Sequence, residues 1–135
     1  MNATTLQLWA PRVLSILRIV AALIFIEHGT QKLLGFPLGE RGGPPAMTLP
    51  WFAGIVEVGA GTLIALGLFT RPAAFLASGT MAVAYWYAHA PQSPFPVNNG
   101  GDAAILYCFV FLYFVFAGPG PWSIDAARRS AAGAV

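Results

Sequence analysis

Residues 23–35 read LIFIEHGTQKLLG, so Glu27, His28, Gln31 and Lys32 follow directly on an apolar run that begins at Val13. The run and its polar end are long enough together for a helix that crosses a bilayer, at 1.5 Å per residue across a hydrocarbon core of about 30 Å. A cleavable leader would need small residues at A-x-A spacing after the apolar run. The sequence EHGTQK stands there instead, and the segment is expected to remain in the mature protein.

Working outward, three further apolar segments are separated by Gly/Pro-rich breaks. The loop PLGERGGPPAMT stops the first segment, TRP at 70–72 separates the second from the third, and PQSPFPVNNGG precedes the fourth. The expected spans are 13–35, 49–69, 73–90 and 101–118 in a single 135-residue domain, with residues 122–135 as an interfacial tail carrying Trp122, Arg128 and Arg129. The three-residue joint leaves room only for a tight hairpin. The expected fold is all-α, an antiparallel four-helix bundle embedded in the membrane, because only structures that satisfy their own backbone can span lipid.

Composition agrees with this: 57% of residues are hydrophobic and 9% charged, against about 25% charged in soluble domains. The net charge of +2 comes from scattered basic residues, which gives no nucleic-acid surface. Arg12, Arg71, Arg128 and Arg129 fall at one end, with Arg18 near it, while Arg41 and Lys32 fall at the other. The positive-inside rule therefore places both termini in the cytoplasm. Arg18 is read as reaching for the bilayer edge. Cys108 stands alone in an aromatic run and forms no redox pair.

Charges inside a membrane cost about 2.5–3.5 kcal/mol at the helix centre, so those present are the candidate functional groups. Glu57 shares a helix face with Gly54 and Gly61, small residues that admit a close neighbour, and so points into the bundle. Lys32 shares its face with Arg18, Phe25, His28 and Gly29. Glu27 lies about 140° from Lys32, beside Gln31. These side chains must find partners on other helices, and at the outer level Glu57, His89 and Asp102 are available. Glu57, His28 and Lys32 are the candidate catalytic residues, and Glu27, Gln31, His89 and Asp102 the candidate pocket residues. The plainer alternatives are snorkelling for Lys32, a structural ion pair for Glu57 and a helix N-terminal charge for Asp102. No metal site is expected from two histidines, nor is a nucleotide or phosphate motif present.

The stretches RIVAALIFIEHGTQKLLGF, GIVEVGAGTLIALGLFTRPAA, NNGGDAAILY and GPGPWSIDA carry a further signal. They hold H-G-x-x-K-x-x-G at 28–35, Glu57 among its glycines, L-G-L-x-T-R ending at Arg71, and G-P-G-x-x-S-x-D from Gly118 to Asp125. In these the chain resembles the DoxX family of small bacterial membrane proteins, over about residues 13–127. The resemblance implies a multi-pass inner-membrane protein linked to redox metabolism, since the family is named for a small subunit of a membrane thiosulfate:quinone oxidoreductase. On that reading the cofactor is a quinone, encoded by no motif of the chain itself. The partners are the lipid bilayer, a second redox subunit that carries the electrons and, as a further option, another copy of the chain. A non-catalytic assembly or anchoring protein, or a small-solute or proton transporter, could use the same residues.

Overall fold

The computed structural model describes residues 2–39 and 42–133. Arg41, one of the residues used for the expected orientation, lies outside them. The described residues contain no strand. In chain order they form α1 (Ala3–Leu34), α2 (Leu49–Leu66), α3 (Thr70–Ala84) continued by a π-helical turn (Tyr85–His89), α4 (Pro96–Asn99), α5 (Asp102–Ala117) and α6 (Ile124–Ala132).

Helix α1 begins ten residues before the expected onset and carries Pro11 inside it. Asn2 opens it by accepting the Thr5 N–H at 2.9 Å, a side-chain cap on a donor that the first turn leaves free. At the other end Gly35 takes the left-handed conformation, φ 67°. This allows its own N–H and that of Phe36 to return to Gln31 and Thr30. The resulting 32 residues measure about 48 Å, more than a bilayer core requires. Both α1 and α2 are long and apolar enough to cross a membrane; α5 is apolar but only 16 residues long.

Helix α1 packs on α2, α2 on α3 and α3 on α5, with a sparser seam between α5 and α1. Glycine sets the distance at the first of these contacts. A Cβ on Gly29 would sit 2.7 Å from Val58 Cγ2 and 2.9 Å from the Gly54 carbonyl oxygen, and one on Gly61 would sit 2.7 Å from Ile26. Such small-residue contacts replace the hydrophobic drive that lipid does not supply. Phe25, Ile64, Ala74, Ala77, Phe111 and Phe114 are buried between the helices. Leu23, Ile24, Phe75, Leu106, Phe109 and Phe116 are exposed on the outside, and so broad an apolar surface suits a hydrocarbon surrounding.

Arg18 is the main departure from the sequence reading. It does not snorkel along an exposed face but is completely buried within the protein. Its Nε donates to Pro119 O at 2.8 Å and a terminal nitrogen to Ala65 O at 2.6 Å. Further bonds run to the carbonyls of Ile64 and Trp122. One side chain on α1 thus closes the C-terminal end of α2 and the G-P-G-P turn into a single knot. Ser15 reinforces it by accepting the Trp122 N–H at 3.2 Å, and Arg71 on α3 donates to the Val115 and Phe116 carbonyls at the end of α5.

Asp125 completes this end of the molecule. Its carboxylate accepts the Phe69 and Thr70 N–H groups at 3.0 Å each, capping α3 from a distant segment. Burial alone would raise this carboxyl, but the Thr70 and Phe69 donors and nearby Arg129 outweigh it and hold the group below its ordinary range. The cap should therefore contribute fully above the unfolded value near 3.9 and be lost as pH falls through the depressed folded value. At neutral pH, Asp125→Ala is expected to cost about 0.5–2 kcal/mol. Unfolding midpoints followed from pH 6 to pH 3 should bring wild type down toward the variant; a gap that persists unchanged into acid would contradict the role.

Candidate functional site

The face of α2 bearing Glu57 meets α1 where the first helix turns polar. Gly29 and Gly54 let the backbones approach there, and the close approach leaves the Glu57 side chain only 2% exposed. Lys32 reaches across from α1 and forms an ion pair with Glu57 Oε1. The second carboxylate oxygen, Oε2, is buried without a hydrogen-bond partner among the described residues. A buried carboxylate oxygen normally finds a donor, which makes this one the least satisfied polar position of the α1–α2 seam.

His28, one turn before Lys32, sets its ring edge against Tyr107 of α5 at 6.0 Å between centroids. Tyr107 stacks on Phe111 at 5.5 Å, and Phe25 meets Phe111 edge-on at 4.7 Å. Glu27, His28 and Gln31 line a small pocket of about 180 Å³ closed by Pro37. Gln31 Nε2 donates to the Pro37 carbonyl at 3.3 Å, tying the loop to the helix.

His89 belongs to a second cavity. With Lys32 it lines a space of about 540 Å³ on the α2–α3 side, otherwise walled by side chains such as Phe52, Val56, Phe75 and Val83. Its Nδ1 lies 2.9 Å from the Asn99 carbonyl. A carbonyl only accepts, so Nδ1 carries the proton and Nε2 keeps a lone pair when the ring is neutral. The π turn that ends on His89 inserts one residue per turn relative to an α-helix, which re-aims the side chain. Asp102 sits exposed in the first turn of α5 and lines neither cavity. The seven candidates therefore divide: Glu57 and Lys32 are joined, Glu27, His28 and Gln31 share one pocket, His89 shares the other with Lys32, and Asp102 stands apart. Among the described residues no three His, Cys, Asp or Glu side chains converge as metal ligands.

The sequence matches the DoxX family model over residues 13–90. The chain belongs to the DoxX family. The DoxX match takes in α2, α3 and most of α1, and with them Lys32, Glu57, His28 and His89. It stops before Asp102 and before the Pro119 and Trp122 carbonyls that hold Arg18. An uncharacterized protein of Haemophilus influenzae is 46% identical over 125 residues, covering 89% of this chain and 93% of the relative. The inner membrane protein YphA of Escherichia coli is 34% identical over 127 residues, covering 85% and 89%. An uncharacterized membrane protein of Mycobacterium tuberculosis is 34% identical over 149 residues, covering 87% and 84%. No solved structure matches the chain. With two candidate spans of its own and relatives named as inner-membrane and membrane proteins, this DoxX protein is a multi-pass protein of the bacterial inner membrane.

Proposed function

We infer that this DoxX protein is a four-helix membrane bundle of α1, α2, α3 and α5, with both termini in the cytoplasm, that serves as a quinone-binding subunit or accessory of a membrane redox system. The observation that carries the reading is the Glu57 carboxylate: buried, held by Lys32 through one oxygen and unpartnered at the other. The charge arrangement supports the orientation, since Arg18, Arg71 and Asp125 knit one end together while Lys32 and His89 line a cavity toward the other.

The residues fit a quinone head. Oε2 of Glu57 offers an unfilled position for a proton, Lys32 a fixed positive charge for an oxygen, and the half-buried Tyr107 ring beside His28 an aromatic face. A bound quinone would supply two-electron, two-proton carrier chemistry. The chain's own part is to hold the head, keep water out and keep a proton within reach at Glu57. Electrons come from a second subunit, because the described residues offer neither a dithiol nor a metal-ligand cluster.

The first test is purification in mild detergent, with co-purifying quinones identified by mass spectrometry. Near-stoichiometric quinone in wild type, lost in folded Glu57→Gln, is the expected result. Folded wild-type protein that neither retains nor rebinds quinone would overturn the reading. The ion pair would then serve as a register lock in an assembly or anchoring protein, which the tight Gly29–Gly54 seam also suits.

A further inference from the structure

The cavity beside α2 and α3 has a shape of its own. One end gathers Lys32, His89, Leu49 and Tyr87, near the end of α1, the start of α2 and the π turn. From His89 its wall follows α3 back to Phe75, roughly 20 Å at 1.5 Å per residue. Half of a hydrocarbon core is about 15 Å, so the groove runs from headgroup level to beyond the middle of the bilayer. Among the described residues Lys32 is the only formally charged one lining it, and apart from Thr80 the lower wall is apolar. The Lys32 side chain is 29% exposed although its ammonium is paired with Glu57, so its remaining N–H donors can serve a second acceptor.

We propose that this groove is a binding site for one anionic phospholipid of the surrounding leaflet, with its phosphate at Lys32 and one acyl chain laid between α2 and α3 down to Phe75. A cation at the mouth and a chain-length apolar trough below it select for that combination of head and tail. A zwitterionic lipid would fill the trough equally well but would set its own ammonium beside Lys32. The site lies on the α2–α3 face and shares Lys32 with the quinone reading, which rests on the free oxygen of Glu57.

Gly79 offers a way to test this without disturbing the fold. It lines the cavity, and a Cβ there would have no heavy atom within 4 Å. Gly79→Leu therefore fills the trough while improving helix propensity. Delipidated wild type, Gly79→Leu and Lys32→Met would be titrated with dioleoyl phosphatidylglycerol or dioleoyl phosphatidylcholine and bound lipid counted by native mass spectrometry. Wild type should prefer phosphatidylglycerol by about tenfold. Lys32→Met should bind the two lipids alike, and Gly79→Leu should lose the retained lipid. Equal retention of both lipids by wild type would overturn the proposal. So would a Gly79→Leu protein that keeps its phosphatidylglycerol, or a quinone whose retention Gly79→Leu abolishes. Loss of quinone in Glu57→Gln with phosphatidylglycerol still bound would separate the two sites.

Discussion

Arg18→Met is expected to be the most destabilising single substitution at the predicted cytoplasmic end, costing about 3–5 kcal/mol. The guanidinium is completely buried and its bonds go to the backbone carbonyls of Ile64, Ala65, Pro119 and Trp122. Methionine preserves much of the apolar stem but leaves the Ala65, Pro119 and Trp122 carbonyls without the guanidinium in a place water does not reach, while Ile64 keeps the Gly67 N–H. Each buried group left unsatisfied costs about 1–3 kcal/mol, reduced where the helix end relaxes. Arg18→Lys should recover only part of the loss. Its donors all radiate from one nitrogen, whereas the planar fork spans acceptors on α2 and on the G-P-G-P turn simultaneously. Thermal unfolding in mild detergent measures both variants. An Arg18→Met midpoint within about 2 °C of wild type, less than 1 kcal/mol on the usual scaling, would show that the knot does not hold the helices together.

That role could not be read from the sequence, for a physical reason. Arg18's partners are carbonyl oxygens 46 to 104 residues away, and every residue type has one. Side-chain patterns therefore record a buried arginine without recording what satisfies it. The usable signals were the L-G-L-x-T-R and G-P-G-x-x-S-x-D stretches. In the structure these become the Gly67 turn, the Arg71 contacts to α5 and the Asp125 cap on α3. The Glu57 face was legible because a 100° step placed Gly54, Glu57 and Gly61 on one stripe, and that stripe meets α1 at Gly29, Ile26 and Phe25. His89 was harder to place, since the π turn shifts it off the α-helical register. Helix α1 begins at Ala3, upstream of the span expected from residue 13. Pro11 argues against a helix interior, but Asn2 caps the helix upstream and the helix continues past the missing N–H.

The Lys32–Glu57 pair should respond asymmetrically to the loss of each partner. Lys32→Met leaves the Glu57 side chain, 2% exposed, as a carboxylate with neither counter-charge nor donor, since Oε2 already lacks a partner. Breaking a buried pair this way costs about 3–5 kcal/mol. Glu57→Gln leaves a lysine whose side chain is 29% exposed and can carry its ammonium toward the interface. The amide still accepts one hydrogen bond, so a cost of about 1–2 kcal/mol is expected. The double variant should be more stable than Lys32→Met alone, because no charge is left stranded. Unfolding midpoints of the four proteins give the coupling energy directly. A Glu57→Gln protein less stable than Lys32→Met would mean that Glu57 bonds to more than Lys32, and would contradict the free oxygen on which the quinone reading rests. The expected order, joined to quinone loss in the stable Glu57→Gln protein, would assign the carboxylate to binding and Lys32 to holding it in place.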